Sequence, residues 1–124
     1  MPGKLLPDVF GLLKAAPAVT AILGATPKVY RHGMAPQGTV APYVVWQVVG
    51  SDPENNLSDP PPTDRLVLQV DCYHREDGGV EELALAVRDA IEPVATLTGI
   101  PVDLQEPDTK LYRVGLQFDW FLSR

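Results

Sequence analysis

With 45 % hydrophobic and 21 % charged residues, this chain of 124 residues has the composition of one folded domain, spanning residues 1–124, rather than of a disordered segment. Its longest apolar runs are far shorter than the ~20 residues that a membrane span needs, and its broken N-terminal hydrophobicity excludes a signal-peptide core, so we expect synthesis in a cytoplasm and no membrane partner. Ten Lys and Arg against 16 Asp and Glu give a net charge of -6, which disfavours a surface that tracks DNA phosphates.

The first third of the chain predicts short elements. Apolar residues at helical spacing, interrupted at Pro17, indicate a broken helix that ends at Gly24. The β-branched and aromatic pair Val29-Tyr30 predicts a short strand. Residues 33–42, rich in Gly and Pro, predict a loop.

Two long strands are predicted next. Residues 43–49 are dense in β-branched and aromatic side chains, and Gly50 should end this strand. Residues 64–74 alternate between apolar and polar and should pair with it as a hairpin. Residues 51–63 contain four prolines, so we predict a long exposed loop that is mobile in the free protein and becomes ordered on assembly.

The C-terminal half predicts a helix and two more strands. Apolar residues at i, i+3, i+4, i+7 and i+11 indicate an amphipathic helix over residues 76–92, capped by Asp77 and ended by Pro93. A Thr-rich turn should lead to a short strand over residues 100–104, whose proline suits a sheet edge. Residues 111–122 alternate throughout and predict a long final strand.

This order of elements predicts an α+β fold, a two-layer domain with a mostly antiparallel sheet and helices packed on one face. The strand face beneath the amphipathic helix should form the core. By the parity of each strand it consists of Val44, Trp46, Val48, Leu66, Leu68, Val70, Tyr112, Val114, Leu116 and Phe118.

Residue types that carry catalysis are present without the spacing that catalysis needs. His32 and His74 lie outside any metal-binding spacing. Cys72, the single cysteine, cannot form an internal disulfide and falls on the core face. Glu81 and Glu82 begin a helix, where the helix dipole favours acidic side chains. We therefore predict no catalytic residues, no metal site, no cofactor and no enzymatic activity.

The second face of the sheet mixes apolar, amide and charged side chains, a composition that suits a protein interface. The alternative is that the N-terminal helix covers this face. Drawn from this face and from the two loops, the candidate residues for contact with other subunits or partners are Gln37, Tyr43, Val45, Gln47, Asp52, Glu54, Asp59, Val67, Gln69, Gln117 and Phe121.

Several segments, in their order and spacing, match one known family. They are residues 35–38 (Ala-Pro-Gln-Gly), 42–45 (Pro-Tyr-Val-Val), 68–73 (Leu-Gln-Val-Asp-Cys-Tyr), the helix positions Ala84, Val87 and Arg88, and 106–114 (Glu-Pro-Asp-Thr-Lys-Leu-Tyr-Arg-Val). Over nearly its whole length, the chain resembles the tail completion proteins of long-tailed phages, also called tail terminators or tail-to-head joining proteins.

The resemblance implies a structural virion protein with a two-layer fold and no catalytic residues. It implies a homohexameric ring at the head-proximal end of the tail tube, which ends tube polymerisation and docks the head connector. The expected partners are other copies of the chain, the tail tube protein and a connector or neck protein. Loops matching residues 35–42 and 51–63 are candidates for these contacts.

Two other functions stay open. One is a small ligand-binding or regulatory α+β module, which needs a closed pocket with converging polar groups. The other is a neck or head-completion protein of the same particle.

The negative charge of the chain leads to a further expectation for a ring. DNA should pass through the ring without specific binding, since an acidic lumen repels phosphate, and Asp52, Glu54 and Asp59 are candidates to line it. The alternative is that these acids only keep the free subunit in solution.

Overall fold

A computed structural model describes residues 5–53 and 63–123, apart from the side chains of Asp52 and Pro53. Three helices and five strands follow one another in these ranges. In chain order they are α1 (Val9–Lys14), α2 (Pro17–Leu23), β1 (Val29–Arg31), β2 (Tyr43–Pro53), β3 (Thr63–His74), α3 (Asp77–Ile91), β4 (Ala95–Gln105) and β5 (Tyr112–Ser123).

The five strands form one sheet in the order β1-β2-β3-β5-β4. β1 runs parallel to β2, and every other neighbouring pair is antiparallel. Residues directly opposite each other, such as Leu68 and Phe118, place their side chains on the same face. The mostly antiparallel α+β fold predicted from the sequence is therefore confirmed.

The core lies between α3 and one face of the sheet. The helix buries Val80, Leu83, Val87 and Ile91, which are the positions that its apolar spacing predicts. The sheet contributes the predicted core face, with Val44, Leu66, Leu68, Val70 and Phe118 buried and Val48, Tyr112 and Val114 packed at the margin.

The two N-terminal helices pack beside α3 on the same side of the sheet. Their buried residues, Val9, Leu13, Val19 and Leu23, belong to the same apolar cluster as the residues beneath α3. All three helices of the described residues therefore share one face. This arrangement overturns the alternative that the N-terminal helix covers the second face.

Capping hydrogen bonds, a proline and a glycine fix where the two short helices begin and end. The Asp8 carboxylate accepts a hydrogen bond from the Gly11 N–H at 3.1 Å and so caps α1. Pro17 occupies the start of α2, where its missing N–H costs nothing. Gly24, with φ of 96°, ends α2 as predicted, and its N–H donates to the Thr20 carbonyl.

The predicted cap of α3 is wrong. Asp77 is the first residue of the helix, and Glu76 stands at the cap position without a side-chain bond to the helix. The Glu76 N–H instead donates to Nδ1 of His74 at 3.0 Å. The imidazole then lies so close to Gly79 that a Cβ there would be 2.1 Å from His74 Cε1, which explains a glycine in the first turn.

Two strand boundaries differ from prediction. Gly50 does not end β2, because an irregularity in the pairing between Val48 and Gly50 absorbs one residue and the strand continues to Pro53. β4 begins at Ala95, so the stretch predicted as a Thr-rich turn is a strand. Its pairing with β5 shifts around Gly99, which hid the alternation from the sequence.

The remaining boundaries agree with the sequence or fall outside the described residues. Pro101 lies in β4, an edge strand, as predicted. The ends of the loop predicted over residues 51–63 belong to β2 and β3, and residues 54–62 lie outside the described ranges. None of the helices described is long and apolar enough to span a membrane.

Candidate assembly interface on the open face

We call the sheet face opposite the helices the open face. Its centre is a row of three glutamines, since Gln47 on β2 lies opposite Gln69 on β3, and Gln69 lies opposite Gln117 on β5. All three side chains are half-buried. Each amide both donates and accepts hydrogen bonds, so this row offers a partner polar contacts without a net charge.

Beside the glutamine row, Asp71 is 2 % exposed and carries a charge into the sheet. Arg113 Nη2 lies 3.1 Å from Asp71 Oδ2, and Gln69 Nε2 donates to Asp71 Oδ1 at 3.1 Å. A second carboxylate, of Glu106, lies 3.8 Å from Arg113 Nη1. Burial opposes the charged form of Arg113, but the Asp71 carboxylate outweighs it, and the pKa of Arg113 is raised.

Gly115 makes room for this ion pair. It lies opposite Asp71 in the register of β3 and β5. A Cβ at Gly115 would be 2.5 Å from Asp71 Oδ1, so any side chain there would displace the carboxylate. The glycine lets the carboxylate lie flat on the neighbouring strand and reach Arg113.

Two tyrosines extend the buried part of the open face. Tyr43 and Tyr73 stack with ring centroids 4.8 Å apart, and the Arg113 guanidinium lies 5.7 Å from the centre of the Tyr73 ring. Burial raises the pKa of Tyr73 to about 12, although Arg113 acts in the opposite direction. Burial likewise raises the pKa of Tyr43.

A recess of about 330 Å³ lies over these rings, between the loop of residues 33–39 and the turn that precedes β5. Its floor is formed by Tyr43, Val45 and Tyr73, and Gln37 and Glu106 lie on its walls. Val45 is only 1 % exposed, so in this conformation of the chain it offers no surface to a partner.

The opposite end of the open face is more apolar and more exposed. Phe121 is 49 % exposed, Val67 is half-buried, and Val49 projects from the irregularity in β2. Arg65 and Asp119, which lie opposite Phe121 and Val67, form an ion pair at 3.2 Å. Apolar side chains next to paired charges and amides are typical of the interior and rim of protein interfaces.

The structure brings most of the candidate interface residues together. Seven of them share the open face, namely Tyr43, Val45, Gln47, Val67, Gln69, Gln117 and Phe121, and of these Val45 is buried. Gln37 is exposed in the neighbouring loop. The side chain of Asp52, and the whole of Glu54 and Asp59, lie outside the described residues.

The sequence predicts charged side chains on this face but not the pairing of Asp71 with Arg113. The two residues are 42 positions apart, and only the register of β3 with β5 brings them together. A charge in an otherwise alternating apolar strand was the available signal, because a buried charge requires a partner.

The residue types considered for catalysis lie apart from one another or are buried. The described residues contain no group of three or more His, Cys, Asp or Glu side chains that could hold a metal ion. Cys72 is buried as predicted, and this burial raises the pKa of its thiol, which keeps it protonated. On the open face, Arg113 and Gln69 bind Asp71, and Arg65 binds Asp119.

Comparison with known proteins identifies the family. Residues 7–123 match the family model described as Tail completion protein gp17. Among solved structures, a chain from the virion of a native gene transfer agent particle is similar with a TM-score of 0.63 and 17 % identity, over 94 % of this chain and 92 % of that chain, which shows a shared fold. No curated protein sequence gives a significant match. The chain belongs to the tail completion protein gp17 family, whose members are structural proteins of the phage virion tail.

Proposed function

We propose that the chain forms a homohexameric ring at the head-proximal end of the tail tube, where it ends tube polymerisation and joins the tail to a head connector or neck protein. The observation that carries this proposal is the open face, which has no helix over it among the described residues and combines an amide row with the exposed Phe121. A sheet face of this composition gains stability when a partner covers it.

Family membership favours this structural role over a ligand-binding or regulatory module. In the same proposal the protein is made in the host cytoplasm, uses no cofactor and has no enzymatic activity. Its contacts with tube, connector and neighbouring copies involve the loops of residues 35–42 and 51–63 together with the open-face residues.

The ring should let DNA pass without binding it. With a charge of -6 on each copy, a narrow channel bordered by the chain stays negative near its wall, because screening in physiological salt acts over about 8 Å. Asp52, Glu54 and Asp59 are our candidates for the lumen. A ring structure with a lumen lined mainly by Lys and Arg would contradict this part of the proposal.

The experiment is to assemble particles without this chain. Tails should then be longer than normal and not joined to heads, and adding the purified chain should restore both properties. Tails of normal length that fail to join heads would place the chain in the neck instead.

A variant on the open face makes the test specific to this surface. Phe121→Ser should fold, since the side chain is already half exposed, and should restore joined tails poorly. Phe10→Ser on α1, which is similarly exposed on the other side of the sheet, is the matched control and should restore them fully. Full restoration of joined tails by Phe121→Ser would show that assembly does not depend on the open face.

A further inference from the structure

A second surface lies away from the open face, in a groove of about 430 Å³ between α3 and the strands β4 and β5. Its apolar lining includes Ile100, which is 58 % exposed, and Leu85, an exposed leucine on α3. At this edge of the sheet, these apolar side chains are left exposed by the described residues. The groove has the size and the apolar lining to receive side chains from a partner.

The rim of the groove is acidic. Asp77 and Glu81 from α3 and Asp103 from β4 line it, and none of them forms an ion pair with a cation of the described chain. Arg88, the only cation in the lining, is engaged by Asp89 and Glu92. A partner for this groove should therefore present apolar side chains together with positive charge.

The other edge of the same sheet has that character. β1 is the edge strand there, and the exposed Met34 (76 %) and Val40 lie in the loop that follows it. Lys28 and Arg31 pair with no carboxylate among the described residues. The Arg31 side chain is exposed at the edge, and its guanidinium lies 5.5 Å from the centre of the Trp46 ring.

The two surfaces also lie at the same level of the sheet. One continuous row of paired residues runs across all five strands, from Val29 on β1, next to Lys28, through Val44, Cys72 and Val114 to Asp103 on β4. The basic edge and the acidic groove are thus the two ends of one row. When copies are arranged edge to edge, the basic edge of one copy meets the acidic groove of the next.

We propose that the β1 edge of one copy, with Lys28, Arg31 and Met34, docks in the α3–β4 groove of the next copy. This contact is heterologous, because it joins two different surfaces, and heterologous contacts repeat around a ring. The inference rests on the ring of the proposed function and names the surfaces that close it. Its partner is a second copy because both complementary surfaces belong to this chain: each is apolar, and their charges have opposite sign and form no ion pair among the described residues, although Lys28 Nζ donates to the Val40 carbonyl.

Two variants, each blocking one of these surfaces, test the proposal. Ile100→Asp places a charge in the groove, and Arg31→Glu reverses the charge of the edge. Both positions are exposed, so both variants should fold, which circular dichroism checks. The wild-type chain should assemble at high concentration, whereas each variant should self-associate about tenfold more weakly or worse, as measured by light scattering and native mass spectrometry. Phe10→Asp is the control and should assemble like the wild type.

Mixing the two variants distinguishes a heterologous contact from any other. The Ile100→Asp copy keeps its edge and the Arg31→Glu copy keeps its groove, so an equimolar mixture should form a one-to-one dimer and nothing larger. A mixture without dimers, a wild-type chain that stays monomeric, or variants that assemble normally would each overturn the proposal.

The particle experiment separates this inference from the proposed function. Ile100→Asp should fail to restore normal tails if the ring needs this contact. Normal restoration by Ile100→Asp would overturn the contact and leave the tail role intact, while unaltered tails in particles that lack the chain would overturn the tail role alone.

Discussion

Leu68 and Phe118 face each other across β3 and β5 on the helix-covered side and are fully buried. Their chain neighbours Gln69 and Gln117 face each other on the open side and are half-buried. The backbone pairing is the same for both pairs. The strands therefore carry two surfaces with different stabilising interactions. Apolar packing against α3 holds one of them together, and hydrogen bonds and ion pairs hold the other.

Substitutions on the covered face should therefore affect folding, and substitutions on the open face should affect assembly. On the covered face, shape and volume are fixed by close packing. On the open face, stability depends on a few paired groups around Asp71, and the remaining side chains keep part of their surface in water. The following three predictions test this contrast, beginning with the largest effect.

The largest effect is expected at Leu116, which is buried beneath the helical layer. Leu116→Ala should lower the free energy of unfolding by about 2–5 kcal/mol, because it removes apolar contacts and leaves a cavity. The neighbouring Gln117→Ala is the matched control on the open face and should change it by about 0.5 kcal/mol or less. Denaturant unfolding measures both. A cost below about 0.5 kcal/mol for Leu116→Ala would contradict the assignment of the two faces.

A smaller effect is expected at Asp71, where the open face has its own buried interaction. Asp71→Ala should cost about 1–3 kcal/mol in denaturant unfolding, because Arg113 and Gln69 lose their shared acceptor. Asp119→Ala, which breaks the more exposed pair with Arg65, should cost about 1 kcal/mol or less. Equal costs at the two positions would show that the Asp71 pair is no more important than a surface ion pair.

The contrast between the faces explains how far the sequence could predict this molecule. The alternation of β5 and the apolar spacing of α3 run over 12 and 15 residues, long enough to fix which side chains face the core. β4 was recognised only from Ile100 onwards, because shifts in its pairing around Gly99 interrupt the alternation. Local patterns fail where the register of a neighbouring strand decides the geometry.

The open face was predictable in composition but not in its contacts. Sequence parity grouped Gln47, Gln69 and Gln117 on one face, yet their alignment in one row depends on the pairing of three strands. The spacing of the apolar residues in α1 and α2 predicts that each helix buries one side. It does not predict which face of the sheet the two helices cover. The packing of both helices beside α3 decides this question and leaves the open face free of helices in the described chain.

The smallest effect should appear only in alkali, and it tests how tightly the open face excludes water at its tyrosine stack. Folding raises the pKa of Tyr73 from 10.0 to about 12, mainly through burial, so the folded chain keeps a proton that the unfolded chain releases at lower pH. Below pH 10 this tyrosine is neutral in both states and adds no pH dependence. Between pH 10 and about 12 the unfolded state binds fewer protons, so the free energy of unfolding should fall as the pH rises.

Tyr73→Phe removes this ionisable group while keeping the ring that stacks on Tyr43 at 4.8 Å. The free energy of unfolding of this variant should therefore fall less steeply above pH 10 than that of the wild type, when both are measured by urea unfolding across this range. Absorbance near 295 nm should show a tyrosine ionisation near pH 12 in the wild type that Tyr73→Phe lacks. If Tyr73→Phe and the wild type lost stability with the same slope, the tyrosine stack would be open to water, and the end of the open face that carries Tyr43 and Tyr73 would not be buried.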